Sequence, residues 1–188
     1  MLSAVHFLMS GIKKVPELEL KKEIELQNNE DLKDVETLLD LAFGEDRFSK
    51  AAYALRDGIE PLSDLSFIIR DKGEIIATLR FWPIKIKENP ALLLGPIAIK
   101  PELQGLGYGI ALMKHGLKQA KTLGHNRVIL VGDEAYYKRV GFSRELAVNI
   151  SMAGQDEEHR LLAKELVEGA FDKVKGLIQK DYTSKNCL

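Results

Sequence analysis

The chain has 188 residues, of which 45% are hydrophobic and 29% charged, and its 27 basic and 28 acidic side chains leave a formal net charge of −1. That composition suits one ordinary globular domain and supplies no global positive field for nucleic acid or an anionic membrane surface. No apolar run approaches the roughly 18 residues that cross a bilayer as a helix, and residues 1–9 lack the basic start and small-residue cleavage site of a secretory signal, so a cytoplasmic protein is expected.

Residues 1–19 show no sustained hydrophobic period and contain Gly11 and Pro16, which marks them as an extension of uncertain order ahead of a domain expected over residues 20–170. A short alternation over residues 22–27, with Ile24 and Leu26 on one side, predicts the first strand. Asn28 and Asn29 offer caps for a helix whose stripe is Leu32, Val35, Leu38, Leu39 and Ala42 and which stops at Gly44. A second short helix is expected over residues 49–56, ended by Gly58 and Pro61. Leu65, Phe67 and Ile69 then alternate, the tetrad Asp71-Lys72-Gly73-Glu74 makes a turn, and residues 75–86 return as a long strand. Asn89-Pro90 is read as the next turn, followed by an apolar strand over residues 92–99.

Pro96 is out of place in that strand, because proline gives no N–H to a ladder and belongs at an edge, a start or a bulge. Two readings stay open: a simple bulge, or a strand that stops pairing with its neighbour partway and leaves residues 97–99 open to another partner. Gln104-Gly105-Leu106-Gly107-Tyr108-Gly109 follows, and Leu106, Ile110, Met113, Leu117 and Ala120 trace a helical stripe that Gly124 ends. With a further strand over residues 128–131, the unit reads as a parallel crossover with a glycine-rich turn at the N-terminus of a helix. Such a turn either binds an anion through its unpaired N–H groups or serves close packing. Beyond it, a short helix over residues 134–140, capped by Asp133 and ended by Gly141, carries Tyr136 and Tyr137, of which one is expected to face a cleft.

A strand is expected over residues 147–152; residues 159–167 fit strand and helix periods equally poorly and are read as a strand in preference to a helix, and residues 171–188 are read as a tail. Cys187 cannot form an internal disulfide, and His6, His115, His125 and His159 show no metal-ligand spacing, so no metal is expected. A dinucleotide-binding turn would need glycine where Ile110 stands, and a nucleotide-hydrolysing loop would need Gly-Lys-Ser/Thr.

The string Gln104-x-x-Gly107-x-Gly109, opening a helix after an apolar strand, resembles the acyl-CoA-binding motif of the GCN5-related N-acetyltransferases, the GNAT family. The run Ala135-Tyr136-Tyr137-Lys138-Arg139-Val140-Gly141-Phe142 resembles the tyrosine-bearing segment after the family's fifth strand. The two motifs stand in the family's order, the likeness covers about residues 23–142, and Leu92-Leu93-Leu94-Gly95-Pro96 with Val131-Gly132-Asp133 resembles the YhbS-like branch.

The resemblance implies an α/β fold of the GNAT-like acyl-CoA N-acyltransferase type: a mixed sheet of about seven strands, an antiparallel meander followed by a parallel splayed strand pair, flanked by helices. It implies acetyl-CoA as cosubstrate. Carried over by motif position, the backbone of Ile97, Ala98 and Ile99 would hold the pantetheine arm, and the Ile97 N–H would polarise the thioester carbonyl. Gln104, Gly105, Leu106, Gly107, Tyr108, Gly109 and Ile110 would surround the pyrophosphate, and Tyr137, five residues before Phe142, would protonate the departing thiolate. Leu106 stands where many relatives have Arg or Lys, so phosphate binding would lean on backbone N–H groups. Glu45, Asp133 and Glu134 are equal candidates for the base. The acceptor would be a primary amine of a small molecule or a protein, contacted from residues 43–55 and 143–159, with a homodimer as a possible assembly. A non-catalytic acyl-CoA-binding or sensing module is the alternative.

Overall fold

The structure, a computed structural model, describes residues 22–49 and 51–183. The expected extension over residues 1–19, the side chain of Glu45 and Cys187 lie outside the described residues. Strand β1 (Ile24–Leu26) pairs antiparallel with β2 (Ser66–Asp71), with Ile24 opposite Ile69. Between them Asn28 opens the helical segment through a reciprocal cap. Its side chain accepts from the N–H groups of Glu30 and Asp31 at 2.8 and 3.2 Å, while the Asp31 carboxylate accepts from the Asn28 N–H at 2.9 Å. Helix α1 (Leu32–Phe43) then buries Val35, Leu38 and Leu39 against Ile68, Ile75 and Ala98, and ends at Gly44. Two guanidiniums tie this helix region inward. Glu36 accepts from Arg80 at 2.8 Å and from Arg47 at 2.7 Å, and Asp40 accepts from Arg47 at 2.8 Å. The short helix α2 (Ala51–Ala54) follows.

β2 returns as β3 (Glu74–Ile86), which returns as β4 (Asn89–Ile99), giving the expected antiparallel meander. Asn89 and Pro90 begin β4 instead of forming the turn. The reversal falls on Lys87 and Glu88, where Lys87 takes a φ of 52°, and Pro90 is tolerated at the start of the strand.

Helix α3 (Tyr108–Thr122) packs on the other face of the sheet and buries Leu112, Met113, Leu117 and Ala120 beside Phe67, Leu79 and Phe81. The buried stripe differs from the sequence reading. Leu106 precedes the helix and is 50% exposed, while Gly109 and Gly116 are buried. The reason is close approach: a Cβ on Gly116 would lie 2.7 Å from Phe81 Cε2. β5 (Arg127–Val131) completes the parallel crossover beside β4, and β7 (Leu161–Glu165) runs antiparallel to β5.

The expected strand over residues 147–152 shrinks to β6 (Ile150–Ser151), because residues 145–147 form a 3-10 turn that buries Ala147. The stretch read as a tail contains β8 (Gly176–Lys180), which pairs with β3 and β6 and buries Ile178. A single buried side chain in five leaves too faint an alternation to read from sequence. The described sheet therefore has eight strands, ordered β1-β2-β3-β4-β5-β7, with β6 and β8 attached through β3. Among the described residues no helix is long and apolar enough to cross a membrane.

Candidate active site

The site grows out of one irregularity in β4. Leu79 pairs with Ile97 and Phe81 with Leu94, so β3 places Arg80 alone where β4 has both Gly95 and Pro96. This is a bulge, one strand giving two residues against one. Its geometry is held from below by Trp82, whose indole N–H donates to the Gly95 carbonyl at 2.7 Å. On the other side β4 pairs with β5 only at Leu92–Val128 and Leu93–Ile129. Both readings of Pro96 are therefore present together: β4 bulges against β3 and parts from β5. Ile97, Ala98 and Ile99 stay paired with β3 while their other edge is open to the cleft.

One side of the opening is a cavity of about 320 Å³ at the N-terminus of α3. Ile97, Ala98, Ile99, Gln104 and Gly105 line it, together with Gly107, Tyr108, Gly109 and Ile110. Leu106 does not. Its side chain points to the exterior, the one residue of the expected set that the fold leaves out of the cavity. Gly107 is the N-cap at φ 92°, a left-handed conformation that excludes most side chains. The helix thus begins without a capping side chain, and its first N–H groups face the cavity with the positive end of the helix dipole. Gly109 admits a neighbour: a Cβ there would stand 2.7 Å from the Tyr136 hydroxyl. Arg139 also lines this cavity, its guanidinium 5.7 Å from the Tyr136 ring. Sequence reasoning missed it, although it stands in the tyrosine segment.

The other side is a larger cavity of about 610 Å³, between the α1–α2 region, the splayed strand ends and the loop before β7. Its walls include Tyr53, Arg56, Gly95, Asp133, Gly154 and Arg160. The stretches expected to face the acceptor, 43–55 and 143–159, supply much of the wall. Arg56 and Arg160 lie one residue beyond each stretch. Nothing in their local sequence marks them, since their roles follow from tertiary placement.

Both cavities share Phe43, Ile97, Tyr136 and Tyr137. The two tyrosines lie on α4 (Glu134–Tyr137), which Asp133 caps by accepting the Tyr136 N–H at 3.3 Å. Contrary to the helical-geometry expectation, both reach the cleft, with ring centroids 5.1 Å apart and nearly perpendicular. Tyr137 packs edge-on to Phe142 at 6.2 Å and lies over Gly132, where a Cβ would come within 2.1 Å of its Cε2. Burial, reinforced by Tyr136 and opposed by Arg160, pushes the Tyr137 hydroxyl up to about 12. Burial also raises Tyr136, with Arg139 opposing. Of the base candidates, Asp133 lines the larger cavity, whereas Glu134 accepts the Arg144 N–H at 2.8 Å and does not line it.

A family model described as the acetyltransferase (GNAT) family matches residues 32–142. The chain is 33% identical over 119 residues to YjhQ of Escherichia coli K12, an uncharacterized N-acetyltransferase, covering 60% of this chain and 62% of that protein. It therefore spans about three fifths of the length of YjhQ. Uncharacterized N-acetyltransferase YhbS of the same strain is 26% identical over 148 residues, covering 77% of this chain and 87% of YhbS. In fold, the chain is similar to E. coli YhbS solved in complex with CoA, with a TM-score of 0.73, 23% identity and coverage of 85% and 89%. A GNAT family acetyltransferase from Brucella melitensis in complex with acetyl-CoA gives 0.65, 22%, 86% and 96% in the same order. With the family model covering more than half of its length and the mixed, splayed sheet in place, the chain belongs to the acetyltransferase (GNAT) family and is YhbS-like within it.

Proposed function

We propose that the protein is an N-acetyltransferase that moves an acetyl group from acetyl-CoA to a primary amine by direct attack of the amine on the thioester. The observation that carries this reading is the meeting of two cavities at Ile97, Tyr136 and Tyr137: one has a helix N-terminus and Arg139, the other is walled by the loops of the acceptor side. The smaller cavity suits a pyrophosphate. Backbone N–H groups and a dipole end favour an anion, and Arg139 supplies the cation that Leu106 does not. Structures of YhbS with CoA and of the Brucella protein with acetyl-CoA support the same assignment.

In this reading the open edge of residues 97–99 takes the extended arm of the donor as a strand takes a partner. The Ile97 N–H donates to the carbonyl oxygen as negative charge develops, an interaction worth roughly 2.7–4 kcal/mol when the donor is fixed beforehand. The amine nitrogen forms its bond to the carbonyl carbon, the carbon–sulfur bond breaks, and the amine proton leaves to Asp133 or to water. The sulfur receives a proton from the Tyr137 hydroxyl, which solvent then restores. A phenol held near 12 keeps its proton through the neutral range, and a positioned acid contributes on the order of 10²–10⁴-fold.

Tyr137→Phe tests the assignment. Free-thiol release with an amine panel should fall by roughly 10²-fold or more, with CoA affinity retained. Unchanged turnover across pH 6–9 would remove Tyr137 from the mechanism. Tight CoA binding with no turnover on any amine would identify a binding or sensing module instead.

A further inference from the structure

We propose that Arg56 is the anion-recognition residue of the acceptor cavity and that the acceptor is an amino carboxylate, an amine carrying a carboxylate a few bonds from its nitrogen. The proposal rests on the acyl-transfer reading above. It starts from a contrast among three buried arginines. Arg47 and Arg80 are 3% and 4% exposed, and each is neutralised, Arg47 by Glu36 and Asp40 and Arg80 by Glu36. Arg56 is 9% exposed, yet among the described residues no carboxylate pairs with it; its Nε is buried without a hydrogen-bond partner, as is Arg80 Nη2, but Arg80 keeps Glu36 as a counter-charge and Arg56 has none.

A buried cation in that state is costly unless something outside the chain completes it. Aromatic rings hold its position: the guanidinium carbon lies 4.6 Å from the Tyr53 ring centroid and 5.8 Å from that of Trp82. Burial pushes Arg56 down to about 10, Tyr53 opposing and Arg80 and Arg47 reinforcing, which leaves it cationic at neutral pH.

Its place in the cleft fixes the ligand's shape. Arg56 lines the acceptor cavity, and a Cβ on Gly95 would lie 3.1 Å from Arg56 Nη2 and 3.9 Å from the Ile97 nitrogen. The two nitrogens can be no farther apart than those distances laid end to end. An anion on Arg56 therefore stands within a short molecule's reach of the reaction point at Ile97. A guanidinium is a planar fork that matches a carboxylate with two parallel hydrogen bonds. Asp133, Asp156 and Glu157 line the same cavity, and Glu157 is already engaged by Arg160 at 2.9 Å. The cavity thus offers a cation deep against the bulge and carboxylates nearer solvent, a pattern that suits a zwitterion.

Thiol release from acetyl-CoA is measured with α-, β- and γ-amino carboxylates, their matched carboxamides and aminoethyl phosphate. The best carboxylate should exceed its carboxamide in kcat/KM by about tenfold to a hundredfold, and Arg56→Gln should erase that ratio while Arg56→Lys retains part of it. Carboxamides that react as well as carboxylates, an Arg56→Gln loss equal for both, or a preference for aminoethyl phosphate overturns the proposal. Arg56→Met, which keeps the stem, should melt no lower than the wild type, because the guanidinium awaits a ligand; a large drop in Tm assigns Arg56 to scaffolding and overturns it.

Failure of every amine to react would overturn the acyl-transfer reading by itself. The anion site is then decided by Tm in the presence of CoA. Stabilisation by the carboxylates that Arg56→Gln abolishes upholds it, and equal responses to carboxylates and carboxamides overturn it.

Discussion

Gly132→Ala displaces the proposed acid without replacing it. The added Cβ would lie 2.1, 2.8 and 3.1 Å from Tyr137 Cε2, Cδ2 and Cζ. Carbon atoms in ordinary contact stand about 3.5 Å apart, so the ring must retreat by about 1.4 Å. Little room is available, because the ring is flanked by Phe142 and Tyr136. Gly132 itself is anchored, its N–H donating to the Arg160 carbonyl at 2.9 Å. Overpacking of this kind costs about 1–3 kcal/mol of stability, which a folded domain survives. A misplacement near 1 Å at a reacting centre costs on the order of 10²-fold in rate, equivalent to about 2.7 kcal/mol of barrier. Steady-state thiol release should therefore show kcat down by about a hundredfold, with CoA affinity changed far less, because of the smaller cavity's walls only the Tyr137 ring is displaced and the turn at the start of α3 is untouched. The double variant with Tyr137→Phe should be no slower than the slower single one, since both act through one hydroxyl. A folded Gly132→Ala protein with wild-type kcat would refute the reasoning, because the hydroxyl would then have no required position.

The Tyr137 hydroxyl has a folded value raised from 10.0 to about 12, so the folded state favours the neutral phenol; this stability is fully present below pH 10 and is lost as pH rises through 12. Unfolding free energies from urea melts should drop between pH 9.5 and 11.5 by roughly 1.5–2 kcal/mol more in the wild type than in Tyr137→Phe, and tyrosinate absorbance should lose its highest-pH phase in the variant. Arg139→Gln should weaken CoA binding by about threefold to tenfold, an effect that shrinks as salt is raised; a salt-independent affinity equal to the wild type would remove Arg139 from the phosphate site. Trp82→Phe leaves the Gly95 carbonyl without its donor, and an unsatisfied buried acceptor costs about 1–3 kcal/mol. Urea unfolding measures the loss, and a variant as stable as the wild type would show that Trp82 does not hold the bulge.

Much of the fold was legible because the strongest signals were local. Asn28 capped the 3-10 turn that leads into α1, Gly44 ended the helix, and the turn at Lys72-Gly73 joined β2 to β3, since a cap or a tight turn is set by a few adjacent residues. Pro96 marked an irregularity in β4 because proline cannot serve a ladder, though the residues alone left a bulge and a parted strand both open. Other features depended on distant partners. Gly109 and Gly116 belong to the buried face of α3 because Tyr136 and Phe81 lie against them, and a hydrophobic stripe counts them as gaps. β8 follows from its pairing with β3 and β6, with one buried side chain to betray it. Arg56 and Arg139 sit among ordinary surface-type residues in sequence, and only the tertiary fold turns one inward beneath Tyr53 and the other toward the start of α3.

The sharing of just four lining residues by the two cavities has a kinetic meaning. Donor and acceptor, in the reading proposed above, approach from separate mouths and do not compete for the same space. Neither has to depart before the other arrives. Such a layout favours a ternary complex over a relay through an acylated side chain, so the observed rate depends on simultaneous occupancy, and each substrate's apparent affinity can be measured with the other already in place.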